Sequence, residues 1–158
     1  MRSWIPILLL AAMVLVFGAI EPRSGNSTES QGQLWAAAQC GDIAGIERAL
    51  AGGARIDARD PMDNTALLIA ACANRPDAAL LLVRRGAAVN VMSTGYGTPL
   101  TAAVRHGQVQ LMEALLSAGA DPHMVEENGM TALRTAATME DEQVIAVLNR
   151  ATSKRAGR

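Results

Sequence analysis

The chain has 158 residues, a net charge of −1, and 50% hydrophobic but only 3% aromatic residues. That length suits one domain, and a core of Ala and Leu without aromatics fits thin helix pairs better than a sandwich or barrel. The near-neutral balance excludes the basic face that nucleic-acid binding demands. In chain order, the first element is Arg2 and an apolar run from Trp4 to Ile20, interrupted only by Pro6 and Gly18. The run is too long for a core strand and slightly short for a comfortable membrane span. It has the basic start and apolar middle of a secretory signal, with cleavage expected after Gly18 and Val16 at the −3 position. No Cys lies nearby, which excludes a lipoprotein signal. Residues 1–18 are therefore read as a signal peptide or a membrane anchor, with possible membrane attachment through Trp4 to Ile20. The first case makes the protein periplasmic or secreted. The second anchors it in the inner membrane, facing the periplasm.

Residues 19–31 read as a disordered linker, because Glu21 to Gln31 offer nothing apolar to bury. A repeat then begins. Thr65, Thr98 and Thr131 each open a Thr-x-Leu segment and lie 33 residues apart, as do Gly53, Gly86 and Gly119, each followed by Ala. The openings are Thr65-Ala-Leu-Leu-Ile-Ala-Ala71, Thr98-Pro-Leu-Thr-Ala-Ala-Val104 and Thr131-Ala-Leu-Arg-Thr-Ala-Ala137, preceded by a degenerate copy from Gly32 to Ala38. A second apolar stretch follows each: Ile43 to Leu50, Ala78 to Val83, Val109 to Leu116, and Val144 to Leu148. Thr65, Thr98 and Thr131 predict N-caps, and Pro99 and Pro76 suit a first helical turn, where a missing N–H costs nothing. Gly53, Gly86 and Gly119 predict left-handed residues that end second helices. No unit of this size buries its own apolar face, so the units must stack, with Leu81, Leu82, Leu115 and Leu116 between them.

These segments resemble the ankyrin repeat, whose pattern runs Thr-Pro-Leu-His-x-Ala-Ala, a mid-repeat Gly, a Leu-rich second helix and Gly-Ala-Asp-x-Asn. Gly86-Ala-Ala-Val-Asn90 and Gly119-Ala-Asp121 match its closing segment. The resemblance implies an all-α ankyrin-repeat solenoid of about four helix-turn-helix repeats with hairpin-like turns. It spans 32–152, with repeats at 32–64, 65–97, 98–130 and 131–152, and leaves a basic tail at 153–158. Trp35, Leu68, Thr101 and Arg134 replace the family's His, so the usual Thr-to-His hydrogen bond is expected to be absent throughout. Gly41 and Gly107 keep the mid-repeat glycine, whereas Asn74 and Glu140 replace it. Asn tolerates a left-handed backbone and Glu does not do so readily, which suits a terminal capping repeat at the C-terminal end.

Residues that could carry chemistry are few. His106 and His123 are the only histidines and have no partner at metal-ligand spacing, and no nucleophile motif is present. The expectation is a non-catalytic chain with no cofactor and no metal. Cys40 and Cys72 are the only cysteines, read either as a disulfide or as two small half-buried thiols. Glu126-Glu127 and Glu140-Asp141-Glu142 are either a solvated capping face or an acidic patch for a basic partner.

Stacked repeats build an extended surface, so the expected activity is binding a protein partner. The resemblance implies contact through turn tips and the inner face of the first helices. At the tips this points to Met62, Asn64, Thr94, Tyr96, Glu127 and Asn128. On the inner face it points to Arg105, His106, Thr138 and Met139. Tyr96, the only tyrosine, stands between glycines and is the first anchor candidate. The resulting expectation is a small exported ankyrin protein, bacterial and periplasmic, that regulates, inhibits or protects a partner; the alternative is a membrane-anchored ankyrin scaffold displayed on the outer side.

Overall fold

The computed structural model describes residues 27–156, with side chains to Ser153. Residues 1–18, read above as a signal peptide or membrane anchor, and the first part of the 19–31 segment lie outside the described residues. Among the described residues are eight helices and one isolated bridge pair, Ser93 with Gly97. They form four pairs: α1 (Ser27–Cys40) with α2 (Ile43–Ala51), α3 (Ala66–Cys72) with α4 (Pro76–Arg84), α5 (Pro99–Arg105) with α6 (Val109–Ser117), and α7 (Ala132–Met139) with α8 (Glu142–Ala156). First helices pack on first helices and second on second, so the pairs stack in chain order as a solenoid. No helix among the described residues is long and apolar enough to cross a membrane.

The expected local signals do their work. Thr65, Thr98 and Thr131 hold extended backbone and accept from Leu68 N, Thr101 N and Arg134 N at 3.4, 3.1 and 3.2 Å. Pro76 and Pro99 open α4 and α5. Gly53, Gly86 and Gly119 sit at φ of 90°, 84° and 98°, in the region that a Cβ disfavours. The Leu of each Thr-x-Leu, or its equivalent, enters the core: Leu34, Leu67 and Leu100 are fully buried, while Leu133 in the last pair is only partly covered.

Side chains stitch neighbouring segments together, and two of them, Asp57 and Asn90, repeat with the 33-residue period. Gln31 donates to Arg55 O at 3.1 Å and accepts from Arg55 N at 2.9 Å. Asn90 also bonds both ways, donating to Gly119 O at 3.0 Å and accepting from Asp121 N at 2.8 Å. Asp57 accepts from Ala88 N at 2.8 Å. Each bond satisfies a backbone group that an irregular turn would otherwise leave to solvent.

Several expectations change. Helix α1 starts at Ser27, so residues 27–31 are helix rather than linker. Polarity was misleading there: the Ser30 hydroxyl donates to Gly52 O at 3.1 Å and Gln31 clamps Arg55, so tertiary hydrogen bonds replace apolar burial. The basic tail likewise continues helix α8 as far as Ala156. Leu82 and Leu115 are fully buried, but Leu81 and Leu116 are only partly covered at the core's edge. The Thr-to-His bond has a substitute in one unit, where the Thr98 and Thr101 hydroxyls lie 3.0 Å apart. Cys40 and Cys72 are both free thiols, which selects the unbridged alternative.

Candidate partner-binding groove

A groove of about 570 Å³ crosses the first two units on the side of the first helices. Trp35 and Gln39 of α1 form one wall, and Ile69 and Cys72 of α3 form the floor with the buried Leu68. The hairpin from Asp60 to Asn64 overhangs it, and Tyr96 from the next hairpin closes the far end. Met62 is 71% exposed and Tyr96 46%, a large apolar offering for a chain with so few aromatics.

Each wall residue is held by a definite local cause. The Trp35 indole N–H donates to Ala58 O at 3.2 Å, which fixes the ring against the following hairpin. Asp60 Oδ1 accepts from Met62 N at 2.9 Å and Asn64 N at 2.8 Å, closing the turn that lifts Met62 outward. Asp63 completes that turn at φ 66°, and Arg59 pairs with its carboxylate at 2.7 Å. Tyr96 lies between Gly95 and Gly97, both at positive φ, with Ser93 N donating to Gly97 O at 3.2 Å. A Cβ at Gly97 would collide with the Glu126 carboxylate, so glycine is required where the next hairpin packs.

The ten expected contact residues separate into groups. Met62 and Tyr96 line the groove and are open to a partner. Asn64 also lines it but is only 4% exposed, because its amide N–H donates to Asp60 Oδ2 at 3.2 Å inside the turn; it shapes the tip instead of standing on it. Thr94 and Glu127 are exposed and bond each other across two hairpins at 3.2 Å. Asn128 accepts from Met130 N in its own turn at 2.8 Å. Thr138 donates to Thr135 O at 2.7 Å within α7, and Met139 is 40% exposed beside it.

Arg105 and His106 do not line the groove as the resemblance implied. The Arg105 guanidinium donates to Tyr96 O, and His106 Nε2 lies 3.2 Å from Cys72 O. A carbonyl only accepts, so that imidazole nitrogen carries the proton. Arg105 thus braces the Tyr96 hairpin, and His106 ties the end of α5 to the end of α3. Glu126, read as part of an acidic face, is only 6% exposed and accepts from Thr98 N at 3.1 Å. Burial pushes the Cys72 thiol above its usual range; the Arg105 guanidinium opposes this and the Glu126 carboxylate adds to it. At neutral pH the groove therefore presents Cys72 as a small protonated thiol rather than a nucleophile.

Most of the lining, Trp35 and Asp60 included, was not among the ten expected residues. Trp35 occupies the family's His position in the degenerate first copy, and its size and unique place in the repeats were the available signal. Asp60 carried no signal of its own, since nothing in an isolated Asp distinguishes a turn-closing carboxylate from a solvated one.

The chain matches the family model for ankyrin repeats (3 copies) over residues 34–125, and it belongs to that family. It is 32% identical over 123 residues to the ankyrin repeat domain-containing protein SAT10 of Stachybotrys chartarum, covering 78% of this chain and 6% of that one. It is 35% identical over 102 residues to the ankyrin repeat protein nuc-2 of Neurospora crassa, covering 64% and 10%. It is 34% identical over 99 residues to the putative E3 ubiquitin-protein ligase XBAT34 of Arabidopsis thaliana, covering 60% and 26%. The chain thus spans only a small part of the length of each, and the ligase name describes that protein alone. All three are eukaryotic and lend no support to a bacterial source. The ankyrin repeat is a protein–protein interaction fold that is itself non-catalytic, and residues 34–125 have that fold.

Proposed function

We propose that this protein is an exported ankyrin module that holds one protein partner in the groove between Trp35 and Tyr96 and so regulates, inhibits or protects it. The observation that carries the binding surface is the pair Met62 and Tyr96, held outward over the groove by turns whose polar groups are bonded internally. Turns held in this way fix the backbone beneath both anchors, so the chain there needs little further ordering when a partner covers them. Support for export is the basic start and apolar run of residues 1–20, with a periplasmic or secreted product after cleavage at Gly18.

One experiment tests both parts. The protein is recovered from fractionated host cells, its N-terminus is sequenced, and partners are captured from the same fraction with wild type and with Met62→Ala and Tyr96→Ala. The expected result is a start near Ala19 and one partner lost by both variants at unchanged melting temperature. A full-length cytoplasmic product overturns export, and one retaining residues 1–18 in a membrane fraction assigns the anchored alternative. A partner captured equally by all three overturns the groove.

A further inference from the structure

Several polar groups around the groove have spent donors within the protein. The Trp35 indole N–H is bound to Ala58 O, and the Asn64 amide N–H to Asp60. The nearby cations are occupied as well: Arg75 donates to Gln39 O at 3.3 Å, Arg105 to Tyr96 O, and Arg59 to Asp63 and Met92 O. Two acceptors stand beside Met62. Asp60 is the one charged side chain lining the groove, and its Oδ2 is engaged only by the Asn64 amide, although a carboxylate accepts about four bonds in all. Behind it, the Asn64 Oδ1 is buried with no hydrogen-bond partner. Because Asp60 is the only charged residue in the lining, the local charge that a partner meets inside the groove is negative.

A negative, acceptor-rich groove with an indole at one end and a phenol at the other suits a cation carried on an apolar chain. Resting on the binding reading above, we propose that the partner presents an arginine flanked by apolar residues. Its guanidinium meets Asp60, and its apolar neighbours cover Met62 and the rings of Trp35 and Tyr96. Arginine fits better than lysine because its planar fork reaches a carboxylate oxygen while its face stacks on an aromatic ring. The selection comes from charge complementarity: an acidic segment would face Asp60 with no free cation lining the groove to receive it.

The test is panning of a random nonapeptide library on the protein isolated from its host, followed by affinity measurement on synthesised winners. The expected winners carry Arg between apolar residues, and replacing that Arg by Gln weakens binding about tenfold, the size of a well-placed cation contact. Asp60→Asn, which keeps the Oδ1 acceptor that closes the turn, should weaken the Arg peptide to the same degree and leave the Gln peptide unchanged. Acidic or uncharged winners overturn the proposal, as do Arg peptides indifferent to Asp60→Asn. If such winners still lose binding to Met62→Ala or Tyr96→Ala, groove binding stands and only the cation falls. If nothing is enriched, or winners ignore all three substitutions, both fall together.

Discussion

The middle units and the last unit answer the same structural question differently. The residue preceding each second helix is Asp42, Arg75, Gln108 and Asp141, 33 residues apart. At the two ends it is Asp, which caps its own helix: Asp42 accepts from Gly45 N at 3.0 Å, and Asp141 from Val144 N at 3.2 Å. In the middle it is a long side chain that leaves its own helix uncapped and reaches the unit before it. Arg75 donates to Gln39 O, and Gln108 to the Asn74 side chain. His106 adds a bond from the third unit back to Cys72, where the last unit has Met139. A cap stabilises one helix, whereas a cross-link stabilises a junction. The last junction therefore relies on its hairpin bonds and on apolar packing of Leu111 and Leu115 with Val144 and Leu148. The family match ends at 125, before this unit begins.

The largest expected effect breaks the contrast at the core. Leu115→Ala removes a fully buried side chain of α6 and should cost about 2–5 kcal/mol, because the surroundings close only partly over such a cavity. Since neighbouring units stabilise one another, the loss should reach the first unit. Trp35 fluorescence and helical signal should therefore shift together in a urea titration. Leu148→Ala, equally buried but in the last helix, should melt that unit early and leave the Trp35 transition nearly in place. Equal displacement of Trp35 by both variants would mean that the last junction is as strong as the others.

A smaller effect sharpens the contrast at the shared position. Asp141→Ala should cost about 1 kcal/mol through loss of the cap, felt only in the last unit. Gln108→Ala should cost about 0.5–1.5 kcal/mol and act on the junction, lowering the cooperativity of unfolding along with the midpoint. Hydrogen exchange in α8 separates the two, being faster in the first variant and little changed in the second relative to the rest of the chain.

Glu140 marks the other strained point of the last unit. It holds φ 55° at the end of α7, where Gly41 and Gly107 serve earlier units and Asn74 adopts φ 57°. A left-handed backbone costs a residue such as Glu about 1–2 kcal/mol, while Asn visits it routinely. Glu140→Gly should thus stabilise the last unit, by about 0.5–1 kcal/mol after the entropy of a glycine in the unfolded chain is counted. Asn74→Gly should change little. A Glu140→Gly variant that melts lower than wild type would place an unseen stabilising role on the glutamate side chain.

Much of this was legible in the chain because the period repeats local signals: a capping Thr at 65, 98 and 131, a buried Leu at 34, 67 and 100, and a closing Gly at 53, 86 and 119 carry the fold. What stayed hidden was long-range and polar. Nothing about Ser27 to Gln31 is apolar, yet hydrogen bonds to Gly52 and Arg55 hold them in α1. Glu126 looks like its neighbour Glu127, yet one is buried against Thr98 N and the other is exposed. Of the residues that position in the repeat singled out, Met62 and Tyr96 line the groove, whereas Arg105 and His106 make hydrogen bonds that belong to the frame. Backbone acceptors carry no mark in a sequence, so the two kinds of residue look alike until the partners are seen.

The smallest expected effect on stability is at Tyr96. Arg105 bonds its backbone carbonyl, and the bridge from Ser93 to Gly97 is also backbone, so truncating the ring removes neither. The ring is nearly half exposed and sits outside the buried core. Tyr96→Ala should therefore hold thermal stability within about 0.5 kcal/mol, as surface changes usually do. Arg105→Ala, by contrast, strips the donor from the Tyr96 carbonyl and should cost more, about 1 kcal/mol for a charge-assisted bond at a partly exposed site. Partner affinity should rank the other way, with Tyr96→Ala losing about 2 kcal/mol or more as an interface anchor. Melting curves and binding isotherms on the two variants decide it. If Tyr96→Ala lowers the melting temperature as far as Arg105→Ala does, the ring packs the hairpin, and the binding surface has to be sought among Met62, Trp35 and the exposed Met139 of the last unit.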